Sequence, residues 1–166
     1  WRFTLILRDG DVHPRPVPSR NLLKFMHWNL NSIVVYDGIR VPLIQSNNFT
    51  KNYDLIAITE TTINEYTHDE TLELDGYIPI RKDLPNGTTR GGVMFYHKES
   101  LPVIHRPDLE TQENSLVVEI SINKKNIIVT VTYRRHHHGN EEQLNSFINC
   151  FQQMCNKITN INHYCI

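Results

Sequence analysis

Phe25-Met26-His27-Trp28-Asn29-Leu30-Asn31-Ser32 is the stretch on which the reading of this 166-residue chain turns. With Leu22 and Leu23 ahead of it, its first half predicts a buried strand: the residues are apolar and only Lys24 and His27 interrupt them. Asn29 and Asn31 then appear where the strand must end. Asparagine is a poor strand former. It either closes the strand into a turn or places a carboxamide where it helps hold a hard cation or a phosphate.

A second run ends in the same way. Tyr53-Asp54-Leu55-Ile56-Ala57-Ile58-Thr59-Glu60 is apolar and then stops on a carboxylate. Between the two, Tyr36 to Lys51 has room for a turn at Asp37-Gly38 and one short helix. Ile39, Leu43 and Ile44 offer the helix its apolar face, and Pro42 suits its first turn. Strand, crossover and strand imply parallel neighbours whose C-terminal ends lie side by side. Asn29 and Glu60 are therefore expected to meet at one sheet edge. An amide and a carboxylate converging there suit Mg²⁺, which takes one or two carboxylates and keeps positions for water and substrate phosphate.

His27-Trp28-Asn29-Leu30-Asn31-Ser32 followed by Ile58-Thr59-Glu60-Thr61 resembles the opening of the endonuclease/exonuclease/phosphatase superfamily. Within it, the chain from about Leu22 to Ile158 resembles the apurinic-like endonuclease domain of non-LTR retrotransposons. Four further pieces match in order: Asp75-Gly76-Tyr77, Arg90-Gly91-Gly92-Val93, Leu116-Val117-Val118-Glu119-Ile120 and Val131-Thr132-Tyr133-Arg134. The resemblance implies an α+β fold, an α/β-type four-layer sandwich incomplete at its C-terminus. It implies Mg²⁺- or Mn²⁺-assisted phosphodiester hydrolysis with DNA as substrate. Glu60 and Asn29 would bind or orient the metal and act in catalysis with Tyr133, whose hydroxyl would contact the scissile phosphate. Asn31, Arg90 and Arg134 would meet phosphate. The implied setting is intracellular and nuclear, beside a reverse transcriptase region of a longer polyprotein.

Two segments that complete the family's catalytic set, Gly-Asp-Phe-Asn and Ser-Asp-His, do not occur in this sequence. His163 is not preceded by Ser-Asp, so that role is not carried over to it. Positioned proton transfer typically contributes about 10²- to 10⁴-fold, so hydrolysis by this chain alone is expected to be weak. A catalytically inactive retroelement piece and a phosphate- or nucleic-acid-binding module are the alternatives. A phosphoinositide or nucleotide phosphatase is the more distant one.

Composition bounds the reading. The 17 basic and 18 acidic residues nearly balance, so no global basic field advertises nucleic acid and any DNA contact is local. Cys150, Cys155 and Cys165 crowd the C-terminal end without ligand-like spacing and read as reduced intracellular thiols. No apolar run is long enough for a transmembrane span, and no membrane partner is expected. The chain opens on Trp1, as a piece of something longer would.

Residues 1–21 form an apolar and proline-rich lead ahead of a partial domain over 22–166. Pro14, Pro16 and Pro18 predict an extended linker. Asp11 to Pro18 also resembles the segment ahead of the endonuclease in these retroelements. Arg15 and Val17 stand where a ribosome-skipping ending has Asn and Gly, so no skipping is expected.

Along the rest of the chain, Thr61 to Glu70 is a polar loop over the site, and Asp75 to Ile80 is a short strand with its own turn. Arg90 beside two glycines either brings backbone to a phosphate or marks a glycine-rich turn. Ser115 to Ile122 and Ile127 to Tyr133 predict a hairpin joined by Asn123-Lys124-Lys125-Asn126. Asn140 to Thr159 predicts a helix packed on the outside of that sheet. Leu144, Phe147, Ile148, Phe151, Cys155 and Ile158 form its apolar face, Asn140 with Gln143 a capping box, and Lys157 sits at its negative end. His136, His137 and His138 are adjacent and diverge, so a solvated loop is favoured over a metal site.

Overall fold

In the computed structural model, residues 4–6, 23–35, 38–39, 41, 44, 52–85, 90–111, 114–122, 125–134 and 141–161 are described. Two four-stranded sheets carry the fold. The first has the order β2 (Phe25–Asn29), β5 (Leu55–Thr59), β7 (Val93–Lys98), β6 (Tyr77–Lys82). The second has the order β1 (Thr4–Ile6), β10 (Lys125–Thr132), β9 (Ser115–Ile122), β8 (Val103–His105). A small hairpin joins β3 (Val34–Val35) to β4 (Gly38–Ile39). Within the two large sheets only β2 and β5 run parallel, as the crossover predicted.

Strand alternation explains the layers. On one face of the first sheet Leu55, Ala57, Val93 and Phe95 pack against Leu116, Val118, Ile120, Val129 and Val131 of the second, forming the core between the sheets. On the opposite face Ile56, Ile58, Met94 and Tyr96 are covered by Ile33, Val41, Ile44, Ile63 and Leu72. The outer face of the second sheet is covered by the helix α1 (Glu141–Ile161), where Met154 and Ile158 meet Val117. Covering segment, sheet, sheet and helix make four layers. Because β5 is central and covered on both faces, all five of its residues are buried. Strand β2 is only half-buried, not buried as predicted, because among the described strands it pairs on one side alone.

Other sequence expectations shift in register or face. Ile39 belongs to β4 rather than to the helical segment, whose described residues, Val41 and Ile44, are both buried. In the β9–β10 hairpin Lys125 already pairs with Ile122, so the connection is two residues rather than four. Polar Asn126 is accommodated in the ladder because its Oδ1 accepts from Ser121 Oγ at 2.8 Å. Ile127, Val129 and Val131 do share the face toward the inter-sheet core, while Ile128 turns to the helix.

The helix presents a stripe that shares Phe151 and Ile158 with the predicted one but departs from it elsewhere. Phe151, Met154, Ile158 and Ile161 face the sheet, whereas Leu144 and Ile148 are 40% and 42% exposed. Phe147 stacks on Phe151, with ring centroids 6.4 Å apart. Lys157 does not serve the helix's own negative end. It donates instead to the carbonyls of Asp108 at 3.0 Å and Glu110 at 3.3 Å. The lead segment contributes β1, paired antiparallel with β10. Leu22, the rest of residues 1–21, Asn140, Cys165 and the His136–His138 run lie outside the described residues.

At the end of the first sheet remote from Asn29, Asp54 ties three strands. Its carboxylate accepts from Lys24 N–H and from Lys98 Nζ, both at 2.9 Å. Partial burial pushes this carboxyl up, but the Lys98 and Lys24 hydrogen bonds and their positive charge outweigh it, leaving the pKa below the ordinary 3.8. The contribution to stability is therefore present above pH 3.8 and is lost as pH falls through the lower folded value. Asp54→Asn is expected to cost about 1 kcal/mol at pH 7. Urea titrations should show that gap closing below pH 3.8. In the helix, Met154→Ala should cost about 2–4 kcal/mol, while Leu144→Lys should stay within about 0.5 kcal/mol. Equal costs would mean that the helix turns the predicted stripe to the sheet.

Candidate functional site

Pairing of β2 with β5 sets Asn29 opposite Thr59. The two chains stay zipped beyond the strands: Leu30 N–H donates to Thr59 O at 3.2 Å, Ser32 N–H to Glu60 O at 2.6 Å, and Ile33 N–H to Thr61 O at 2.9 Å. Ser32 and Thr62 hydroxyls also hydrogen-bond each other. Asn29 and Glu60 meet as the sequence implied, with Asn29 Nδ2 donating to Glu60 Oε1 at 2.8 Å.

The orientation of the Asn29 amide follows from its other partner. Asn31 N–H, which can only donate, reaches Asn29 Oδ1 at 2.9 Å. The carboxamide therefore turns its nitrogen to Glu60, the arrangement of a group that holds the carboxylate in place. Glu60 Oε2 makes no hydrogen bond among the described residues.

Alternation alone would send Glu60 to the face opposite Thr59. Backbone strain redirects it. Among the described residues the non-glycines with positive φ are Asn31 (48°), Ser32 (85°), Glu60 (57°) and Thr62 (54°), all in these two loops. Such conformations cost about 1–3 kcal/mol each and cluster where function over-determines the backbone. One layer below, His27 Nε2 pairs with Thr59 Oγ1 at 3.1 Å. Burial holds the His27 imidazole below the usual histidine range, so it is neutral at physiological pH.

Tyr133 and Arg134 stand on the other sheet, just past β10. Tyr133 packs half-buried against the inter-sheet core, and Arg134 is exposed. Tyr133 N–H donates to Asn114 O at 2.9 Å. The side chain of the same asparagine accepts from Gly92 N–H, also at 2.9 Å. Gly92 O in turn accepts from Thr61 N–H at 3.4 Å, and Gly91 O from Thr62 N–H at 3.0 Å. The two strand ends are thus joined through Asn114 and the Gly91-Gly92 pair.

The glycines are explained by this close approach. A Cβ on Gly92 would lie 2.3 Å from Thr61 Oγ1, and one on Gly91 would lie 2.8 Å from Asn114 Oδ1. Close packing is a reason for these glycines that the sequence reading did not offer, and Arg90 is exposed just before them. Asn114 was missed in the sequence, where it reads as a turn residue before β9.

Among the described residues no group of three or more His, Cys, Asp or Glu side chains converges as a metal cage. One carboxylate steadied by an amide fits a different class of site. Mg²⁺ accepts one or two protein carboxylates and completes its shell with water and phosphate oxygens. The donor chemistry of Glu60 fits such an ion. No helix among the described residues is long and apolar enough to cross a membrane.

Two packed sheets, with the helix on one side and the covering segment on the other, make a fold shared with solved endonuclease structures. No protein-family model matches the chain, and no curated protein matches it in sequence. Solved structures do match. The AP endonuclease LMAP of Leishmania major superposes with a TM-score of 0.62 at 16% identity, over 87% of this chain and 51% of its own. The endonuclease domain of TRAS1, a telomere-specific non-LTR retrotransposon, gives 0.56 at 16% identity, over 82% and 54%. The Xenopus laevis APE2 catalytic domain gives 0.55 at 17% identity, over 80% and 52%. The chain spans about half the length of these structures.

The glycine geometry yields a paired test. Gly76 (φ +77°) and Gly92 (φ +82°) share a left-handed backbone, but only Gly92 has atoms where a Cβ would go. Gly76→Ala should cost about 1–2 kcal/mol, from backbone strain alone. Gly92→Ala should cost about 3 kcal/mol or more as strain and clash add. Chemical denaturation measures both, and equal costs would contradict the close approach to Thr61.

Proposed function

We infer that this chain carries the metal-side half of a divalent-metal-dependent phosphodiesterase site whose substrate is DNA. The observation that carries the reading is the Asn29 Nδ2–Glu60 Oε1 hydrogen bond at 2.8 Å at the end of a parallel strand pair. The two endonucleases among the structures sharing the fold support it.

In this reading Glu60 holds Mg²⁺ or Mn²⁺, which when bound supplies charge stabilisation at a phosphodiester oxygen. Asn29 fixes the Glu60 carboxylate by donating to it, and Asn31 fixes the Asn29 amide through its backbone N–H. The Tyr133 hydroxyl donates to a non-bridging phosphate oxygen, and Asn31, Arg90 and Arg134, all exposed, meet flanking phosphates. Turnover that rests on these residues alone is slow, since Glu60 holds the metal and none of the others is a general base. In the same reading residues 1–21 lead into the domain and lend its second sheet β1. Nuclear DNA and a reverse transcriptase region of one polyprotein are its context.

The second reading, a binding module, is favoured by the exposed Asn31, Arg90 and Arg134, which can meet phosphates without turnover. A supercoiled-plasmid assay with Mg²⁺ separates the two. Slow nicking that falls by about 10²-fold or more in Glu60→Ala is the expected result. DNA binding that weakens steeply with salt, with no nicking by either protein, would establish the module instead. Nicking that Glu60→Ala leaves unchanged would remove Glu60 from the chemistry.

A further inference from the structure

Asn114 is 9% exposed and bonds the ends of both sheets at once. Its backbone carbonyl accepts from Tyr133 N–H and its side-chain carbonyl from Gly92 N–H, each at 2.9 Å. Gly92 and Gly91 then hold Thr61 and Thr62, directly after Glu60. A path of three hydrogen bonds therefore runs from the Tyr133 backbone to the Glu60 loop. The room for the Asn114 amide is made by Gly91, where a Cβ would come within 2.8 Å of its oxygen.

We propose that Asn114 is a positioning residue that sets the separation between the metal side of the site, at Glu60, and the phosphate side, at Tyr133. The proposal rests on the metal reading of those two residues and goes beyond it. Core packing fixes the two sheets only to within the play of apolar side chains. A hydrogen bond to a backbone N–H fixes a distance and a direction. Buried in a low-dielectric setting, that bond also carries a penalty when its partner is removed, because Gly92 N–H is left unpaired. A shift of about 1 Å between groups that share one phosphate lowers rates by about 10²-fold, so a link of this kind governs function while touching no substrate. Asn114 reaches the chemistry only through Gly92 and Tyr133.

The test uses the full chain and compares wild type, Asn114→Leu and Asn114→Asp, the last keeping an acceptor at the same atom. Three quantities are read: amide hydrogen exchange, Mn²⁺ affinity, and the gain in affinity for a short DNA duplex when Mn²⁺ is added. Asn114→Leu should speed exchange at Gly92 and Tyr133 by about tenfold or more. It should cut the Mn²⁺-dependent gain in duplex affinity about tenfold, with Mn²⁺ affinity itself within about twofold of wild type. Asn114→Asp should restore protection at Gly92. If the leucine variant does not fold, Asn114→Ser, whose shorter side chain withdraws the acceptor, replaces it with the same expectations.

Faster exchange spread evenly to the Asp54–Lys98 end, with the Mn²⁺-dependent gain intact, would mean a structural role only and would overturn the proposal. The metal reading fails separately, and is recognised when Glu60→Ala binds Mn²⁺ as wild type does. The exchange data at Gly92 and Tyr133 then still decide whether Asn114 links the two sheets, but its positioning role in this reaction falls.

Discussion

The parallel pairing of β2 with β5, in the register that puts Asn29 beside Thr59, is the constraint on which the site depends. Antiparallel neighbours end at opposite edges, so a polar residue closing one would face the start of the other. Parallel neighbours end together. Two short apolar runs, each stopping on a polar side chain, then become one cluster without a long-range element to bring them together. The loops that follow remain hydrogen-bonded through Ser32 and Ile33, which extends the parallel register past the strands. Within that frame, left-handed backbone at Glu60 turns its carboxylate toward Asn29.

That constraint is local, and so it was legible in the sequence. Apolar runs of strand length end visibly at Asn29 and Glu60, and the segment between them suits a crossover. The outward packing of the C-terminal helix and the shared face of Ile127, Val129 and Val131 were legible for the same reason, since each is a periodicity. What periodicity leaves open is which of two overlapping stripes the sheet selects. Leu144 and Ile148 fit a helical face as well as Met154 and Ile161 do. Only the position of Val117 and Ile128 on the sheet decides for the latter pair.

Asn114 was illegible for a different reason. A lone asparagine ahead of a strand has the composition of a turn. Its meaning comes from Gly92, far away in sequence, and from the space that Gly91 leaves. The Gly91-Gly92 pair was visible, but a glycine's reason for being small cannot be read without the neighbour it makes room for. Here the neighbours are the Thr61 hydroxyl and the Asn114 amide. The hairpin is a similar case. Polar Lys125 and Asn126 look like loop, yet they lie in the ladder because backbone pairing and the Ser121–Asn126 hydrogen bond satisfy them.

Strain and polar burial at this end of the molecule point in one direction. The positive-φ non-glycines among the described residues all lie in the two loops after β2 and β5, and the buried Thr61 hydroxyl has no hydrogen bond there. At the opposite end of the first sheet Asp54 is fully engaged by Lys24 and Lys98, and it stabilises. A fold under selection for stability alone would relax the strained end, since a left-handed non-glycine costs about 1–3 kcal/mol and glycine would remove that cost. A glutamate held at φ 57° bears that cost while its carboxylate accepts from Asn29. The cost of that conformation and the carboxylate that bears it support the proposed role of Glu60 on grounds separate from any likeness to other proteins.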